Sequence, residues 1–341
     1  MKTFTTRYRS IAKLKDFIDQ NSISDDKSLL IQMFTSMKQK SKIEKILLEI
    51  QKMLPSSILV GCSSDGEIYN GKILDGNTIV IFTQFNSSTI KAGMFEIEHD
   101  EREVGLNIAN DLLENNSKVL LLFSTFLING QSLIDACHED RNSLVIAGAL
   151  ASDDGKFDTS VVFLGSNISE SGVIAISLSG DNLIANNNYT HNWEPISRDF
   201  VVDSSKGNHL INIDGKMSKA LYENYLDISP EDSLLYTSYE FPMVLNHKNT
   251  FISKMATQEL PDGSLKLSSN IKNGDILQIA YADIDKIDRA IKELFESVSY
   301  NPTETLFVYS SSARRRFISP LAKREILSLS EYERFVKAYP M

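Results

Sequence analysis

Residues 28–34 read Ser28-Leu29-Leu30-Ile31-Gln32-Met33-Phe34, and residues 57–61 read Ser57-Ile58-Leu59-Val60-Gly61. Both segments are apolar and have the length of a buried strand. Between them, apolar residues recur at helical spacing, at Ile43, Ile46, Leu47, Ile50 and Leu54. Pro55 then ends the predicted helix. The order strand, helix, strand predicts a βαβ unit with a parallel strand pair, and such units carry functional loops at the carboxyl ends of their strands.

A second cycle of the same kind follows farther along the chain. Residues 119–123 and 144–148 are apolar segments of strand length, and a helical pattern at 129–138 lies between them. Asn70-Gly71 and Asp75-Gly76, which precede this cycle, supply the positive φ angles that tight hairpins need. The sequence therefore predicts antiparallel strands beside the parallel pairs, and the likeness of the two cycles hints at an internal duplication.

The remaining chain predicts a second domain. A polar stretch at 193–215 follows the second cycle, and beyond it Pro261-Asp262-Gly263 predicts a hairpin turn and residues 284–297 a helix. A chain of 341 residues has room for about two domains. We predict an α/β (mixed α+β) fold with two sequential domains, residues 1–215 and 216–341, built from mixed parallel and antiparallel sheets flanked by helices.

Composition narrows the range of functions. With 35 basic and 45 acidic residues the formal net charge is −10, which argues against binding to nucleic acid or to an anionic membrane. No apolar run approaches the roughly 18 residues of a membrane span. Cys62 and Cys137 stand apart from any Cys-x-x-Cys or Cys/His cluster, so neither a disulfide framework nor a metal site is predicted. We expect a soluble, cytoplasmic protein without a metal or other cofactor.

The loop after the second strand is the first candidate site. It reads Gly61-Cys62-Ser63-Ser64-Asp65-Gly66-Glu67, and its backbone N–H groups and hydroxyls at a strand end are able to cradle a small polar or anionic ligand. The carboxylate of Asp65 or Glu67 is able to pair with a ligand ammonium group. The alternative interpretation is an ordinary turn, since Ser, Asp and Gly are common in turns.

The corresponding loop of the second cycle, 148–155, is the second candidate. Its acidic pair, Asp153 and Asp154, suits a ligand amine, although a solvated turn explains it equally well. Trp193 is the only tryptophan and either walls a pocket or packs in the core. Arg314 begins an arginine run that either binds an anion or forms a solvated helix face. The candidate ligand-binding residues are Gly61, Cys62, Ser63, Ser64, Asp65, Glu67, Gly148, Ala149, Ser152, Asp153, Trp193 and Arg314.

Catalysis is disfavoured by the sequence. A nucleophilic Cys62 would need a base to lower the pKa of its thiol, and none of the five histidines is a sequence neighbour. We predict that the chain is not an enzyme, and a thiol enzyme using Cys62 is the least favoured alternative.

The chain resembles the FIST family. Residues 61–68, Gly-Cys-Ser-Ser-Asp-Gly-Glu-Ile, are similar to the family signature GCSSxGEI. Residues 148–153, 172–178 and 261–265 are similar to later family patterns and occur in the family's order. The resemblance covers nearly the whole chain and implies N-terminal and C-terminal FIST domains.

The chain also departs from the family pattern. Members usually carry a Gly-Asp pair where this chain has Ala151-Ser152-Asp153-Asp154, and a Cys-x-x-Arg where it has Ser310-Ser311-Ser312-Ala313-Arg314. The family's second domain continues past the final helix, whereas this sequence stops at Met341. The expectation is a truncated sensory portion, or a natural variant that lost its output domain.

The resemblance implies a bacterial intracellular sensory module that binds a small ligand such as an amino acid. It also implies a linked or partner output domain of the diguanylate cyclase, histidine kinase or chemotaxis receptor type. Our hypothesis is that the loops 61–67 and 148–154 face a common pocket, and that a helical tail at 320–339 carries the change to the output domain. A protein-interaction scaffold without a small ligand is the main alternative, and a homodimer is left open.

Overall fold

The computed structural model describes residues 1–70, 72–98, 100–126, 128–139, 141–153, 159–188, 193–229, 233–247, 250–299 and 303–311. The N-terminal elements are β1 (Lys2–Arg7), α1 (Ile11–Gln20), β2 (Leu29–Thr35), α2 (Lys40–Met53), β3 (Ile58–Ser63), β4 (Glu67–Tyr69), β5 (Lys72–Leu74), β6 (Thr78–Gln84), β7 (Thr89–Glu96), α3 (Glu101–Leu112), β8 (Ser117–Ser124), α4 (Gly130–His138), β9 (Val145–Leu150), β10 (Val162–Leu164), β11 (Asn167–Ser169) and β12 (Gly172–Ser179).

The elements that follow are β13 (Trp193–Pro195), β14 (Phe200–Lys206), β15 (His209–Ile213), β16 (Lys216–Met217), α5 (Ser218–Leu226), α6 (Leu234–Glu240), β17 (Met243–His247), β18 (Thr250–Lys254), β19 (Ala256–Glu259), β20 (Leu265–Leu267), β21 (Ile276–Ala282) and α7 (Ile284–Ser299). Helices and strands of both pairing types confirm the predicted mixed α/β class. No helix within the described ranges is long and apolar enough to cross a membrane.

The first sheet has six strands in the order β1-β6-β2-β3-β10-β11. The predicted βαβ unit is confirmed, because β2 and β3 pair in parallel and α2 connects them. The apolar stripe of α2 is buried with the outer face of this sheet, where Ile43 and Leu47 pack in one cluster with Ile31 and Phe82. Burial of this stripe, at the spacing seen in the sequence, holds the helix on the sheet.

The second sheet has four strands in the order β7-β12-β8-β9, with β8 and β9 parallel. Its outer face packs against α3 and α4 through Ile108, Leu120 and Cys137. Its inner face packs against the inner face of the first sheet, and this core contains Cys62 and Val60 of β3 beside Phe123 of β8. The N-terminal half is therefore two sheets face to face, with helices on the outer sides.

The two βαβ units share their local geometry. Gly61 lies opposite Met33 in the first unit, and Gly148 lies opposite Leu122 in the second. A Cβ added to Gly61 would approach the Met33 carbonyl oxygen to 1.8 Å, and one added to Gly148 would approach the Leu122 carbonyl oxygen to 1.9 Å. Each parallel strand pair therefore requires a glycine at the equivalent position. This equivalence is what a duplication of the βαβ unit would produce.

The third sheet is antiparallel and follows the order β18-β17-β21-β14-β15-β20-β19, with β13 joined to β21 and β16 to β15. Pro261-Asp262-Gly263 connects β19 to β20, and Gly263 has a φ of 82°. The sheet begins at Trp193, so the polar stretch at 193–215 is built into it through β13, β14 and β15. The boundary expected at residue 215 therefore falls within a hydrogen-bonded sheet.

Candidate functional site

Glu67 is the centre of the loop that follows β3. Its Oε1 accepts hydrogen bonds from the hydroxyl of Ser36 at 2.6 Å and from that of Ser64 at 2.9 Å. Ser36 and Ser64 each follow a strand of the parallel pair, β2 and β3, and the Ser64 N–H donates to the Thr35 carbonyl. The parallel pairing therefore places both hydroxyls at one end of the sheet, where they hold the carboxyl of Glu67. We name Ser36, Ser64 and Glu67 the Glu67 cluster.

The second oxygen of this carboxyl is unsatisfied. Glu67 is only 3% exposed, and its Oε2 has no hydrogen-bond partner among the described residues. Burial raises the pKa of Glu67, while the Ser36 and Ser64 hydroxyls and the backbone N–H groups of Asn77 and Ser36 act in the opposite direction. A buried carboxyl oxygen without a donor is costly, so this oxygen lacks the hydrogen bond that its burial calls for.

The two strand-end loops meet. The Ser152 N–H, after β9, donates to the carbonyl of Ser63, the last residue of β3, at 3.1 Å. The Ser63 hydroxyl accepts from the Val161 N–H at 3.0 Å, and a carboxylate oxygen of Asp153 accepts from the Thr159 N–H at 2.9 Å. The two loops predicted from the sequence are thus neighbours. The groups of Ser63, Ser152 and Asp153 named here are hydrogen-bonded to other parts of the protein.

The candidate residues within the strands have a different environment. Gly61 and Gly148 are at close backbone contacts, and Ala149 packs against the core between the two sheets. Cys62 is 2% exposed in the same core, and burial raises the pKa of its thiol to about 12. A thiol protonated at neutral pH is a poor nucleophile, which disfavours the thiol-enzyme alternative.

Three other candidates lie elsewhere. Trp193 is half-buried in β13 and pairs with Ala282, so it belongs to the third sheet. Asp65 is half-buried in the loop itself. Arg314 lies outside the described residues, as do Asp154 and the expected helical tail at 320–339.

Residues 303–311 return from the C-terminal half to the N-terminal sheets, and we name them the C-terminal strap. Their side chains alternate between half-buried and exposed up to Tyr309. The Thr305 hydroxyl lies 2.8 Å from the Thr3 hydroxyl of β1. The Tyr309 ring lies between the sheets, with its centroid 6.4 Å from that of Phe34 and 5.7 Å from that of Phe123.

Tyr309 also meets a buried amide. The Gln32 side-chain Nε2 donates to the Tyr309 hydroxyl at 3.4 Å, while Gln32 Oε1 is buried without a partner among the described residues. Burial raises the pKa of the Tyr309 hydroxyl, and Cys62 lies in the same core cluster as this ring. Sequence reasoning missed Gln32, Ser36 and Tyr309. For Gln32 the sequence did contain an indication, because it is the one polar residue within the apolar run 29–34.

A second contact joins the third sheet to α4. The Asn270 side chain accepts from Asn129 Nδ2 at 2.7 Å and donates to the Ser132 hydroxyl at 3.3 Å. The Asn270 carbonyl accepts from the buried Lys254 ammonium at 2.8 Å, as does the Ser269 hydroxyl. Burial lowers the pKa of Lys254, and Asp275 and Asp135 oppose this effect. The C-terminal half thus touches both N-terminal sheets through the strap, and it touches α4 through Asn270.

These features define a class of protein: two α/β halves in contact, with a buried carboxyl at strand ends and a protonated thiol in the core. Comparison with family models finds the FIST N domain at residues 29–216 and the FIST C domain at residues 220–338. The chain belongs to the FIST family, whose domains are sensory domains of signal-transduction proteins. A search of curated proteins found no match.

Proposed function

We propose that this chain is the ligand-binding sensory part of a cytoplasmic signal-transduction protein, and that its ligand carries an ammonium group, as amino acids do. The Glu67 cluster is the proposed site, with the neighbouring loops at Asp65, Ser152 and Asp153 as its surroundings. The proposed partner is a linked output domain of the diguanylate cyclase, histidine kinase or chemotaxis receptor type.

The observation that carries this proposal is the unsatisfied Oε2 of Glu67. An ammonium group offers three donors and a positive charge, and a charge-assisted hydrogen bond to a carboxylate is about twice as strong as a neutral one. The hydroxyls of Ser36 and Ser64 already fix the orientation of the carboxyl through Oε1. A bound ammonium group would supply the missing donor and favour the ionised form of Glu67.

The strap supplies the route by which binding changes the C-terminal half. Cys62 of β3 lies in the same core cluster as Tyr309, and Ser64 and Glu67 follow the same strand. A shift of the end of β3 on binding would change the packing of Tyr309 against Phe34 and Phe123. Ligand and strap position are then linked, because a ligand that favours one arrangement raises its population.

Thermal unfolding and calorimetric titration against single amino acids test the proposal. Each amino acid is paired with the carboxylic acid that lacks its amine, so that the contribution of the ammonium group is isolated. The variant is Glu67→Gln, and the matched control is Glu44→Gln, which changes an exposed glutamate on α2.

At about 100 times its Kd, a ligand should stabilise the wild type by about 2.7 kcal/mol, which raises Tm by a few degrees. We expect Glu67→Gln to lose this effect and Glu44→Gln to retain it, with tighter binding at pH 8 than at pH 5 because the carboxyl must ionise. The proposal fails if no amine stabilises the chain or if Glu67→Gln binds as well as the wild type. An interaction scaffold then becomes the leading function.

A further inference from the structure

We infer that the N-terminal half has a second small-molecule site, at the other end of β3, for an uncharged ligand with an amide-like edge. A cavity of about 310 Å³ opens there. Leu59 lines it at the start of β3, whereas Ser64 of the Glu67 cluster follows the end of that strand. At about 3.3 Å per residue the two positions are roughly 16 Å apart, so the sites are separate.

The cavity is open to solvent and has a mixed lining. Ligand pockets commonly measure about 300–1,000 Å³, which places this cavity at the small end of the range. Apolar side chains from three strands form part of its wall: Leu59 of β3, Ala92 of β7 and Leu164 of β10. Such a wall suits the face of a flat ring or an aliphatic group.

Two carboxamides and Ser57, whose hydroxyl donates to the Leu54 carbonyl, form the polar part of the lining. Gln51, near the end of α2, and Asn167, at the start of β11, both line the cavity. Gln51 is half-buried and Asn167 is exposed, and in the part of the chain that the structure describes neither side chain has a hydrogen-bond partner within the protein. Gly165 leaves room for the Gln51 amide, since a Cβ at this position, where φ is 58°, would lie 3.0 Å from Nε2.

The lining determines the chemical class of the ligand. None of the lining residues is charged, so a charged ligand would lose hydration without gaining a partner. A carboxamide presents a donor and an acceptor side by side, which matches an edge with the complementary pair, as when Asn or Gln pairs with adenine. Nucleobases, lactams and primary amides have this edge.

Titrations of the full chain with adenine, uracil and nicotinamide test this inference by calorimetry and by thermal unfolding. Nicotinate serves as the charged counterpart of nicotinamide, because it keeps the ring and replaces the amide with a carboxylate. Gln51→Met removes the amide while keeping the length of the side chain. Gln20→Met makes the same change at an exposed position of α1.

We expect at least one neutral probe to bind, nicotinate to bind more weakly than nicotinamide, and Gln51→Met to weaken binding about tenfold, the effect of one lost hydrogen bond. Gln20→Met should bind like the wild type. Glu67→Gln should too, which separates this site from the Glu67 cluster. The inference is overturned if none of the three neutral probes binds at millimolar concentration, if nicotinate binds as well as nicotinamide, or if Gln51→Met has no effect.

Discussion

Burial and hydrogen bonding act against each other at Glu67. The Ser36 and Ser64 hydroxyls favour the ionised carboxyl, yet burial is the larger effect and raises the pKa of Glu67. The native state therefore holds a proton on Glu67 at pH values where the unfolded chain has released it. It follows that the wild type loses stability as pH rises from about 4.5 through the native pKa of this group.

Replacement of Glu67 by glutamine should remove this dependence. Glutamine keeps an acceptor for the two serine hydroxyls and carries no charge at any pH. We expect the stability of Glu67→Gln relative to the wild type to be higher at pH 8 than at pH 4, where the native wild-type carboxyl is already neutral. Urea unfolding at both pH values measures the difference. An equal difference between the two proteins at pH 4 and pH 8 would contradict the raised pKa.

Cys62 should be inert toward thiol reagents in the native protein. Its thiol is buried, and a pKa of about 12 leaves almost no thiolate at pH 8. In the native protein, we expect an aromatic disulfide reagent to label Cys62 only at the rate at which the protein unfolds. In urea, labelling should be immediate. A Cys137→Ala background assigns the signal to Cys62. Rapid labelling of the native protein would revive the thiol-enzyme alternative.

Among the secondary-structure elements, the two βαβ units depend on one glycine each. The carbonyl oxygens of Met33 and Leu122 occupy the space that a Cβ of Gly61 or Gly148 would need. We expect Gly61→Ala and Gly148→Ala each to destabilise the protein by about 3 kcal/mol or more, because strand pairing must be disrupted to admit the methyl group.

Gly130→Ala is the control for this pair, since an added Cβ at the start of α4 meets nothing within 4 Å. It should leave stability unchanged or raise it slightly. Denaturant unfolding measures the unfolding free energy of Gly61→Ala, Gly148→Ala and Gly130→Ala relative to the wild type. A small effect at only one of the two strand glycines would argue against the equivalence of the two units.

Individual helices, strands and turns were predictable because each is specified by the residues within it. The apolar stripe from Ile43 to Leu54 and the strands beside it specify the first βαβ unit, and Asn70, with a φ of 49°, lies in the turn between β4 and β5. The pairing of β10 with β3 was not predictable, since neither strand's pattern identifies its neighbour. The same holds for Glu67, whose burial depends on Ser36, which is 31 residues earlier.

Across the protein as a whole, the C-terminal strap is the longest-range contact described. Gln32 and Tyr309 are 277 residues apart in sequence, and no periodicity indicates that they meet. The strap lies against β1 at Thr3 and against β2 at Gln32, so it passes across the first sheet from its edge toward β3. Its inward side chains Phe307 and Tyr309 join the core between the sheets.

Removal of the Tyr309 ring should weaken this arrangement. Tyr309→Ala deletes the contacts with Phe34 and Phe123, and we expect a loss of about 3 kcal/mol in unfolding free energy. Tyr309→Phe keeps the ring and should lose about 1 kcal/mol or less, because the bond from Gln32 is long. Val308→Ala is the control on the exposed side of the strap. Equal losses for the alanine variants at 308 and 309 would mean that the ring does not anchor the strap.

Hydrogen exchange of the wild type, with and without the amino acid that stabilises it, tests both the site and its link to the C-terminal half. The proposed function predicts slower exchange at the backbone N–H groups of residues 63–67, together with changed exchange at residues 303–309. Glu67→Gln should show neither change at the same ligand concentration. Protection confined to other segments, with exchange at both of these unchanged, would contradict the proposed sensory mechanism.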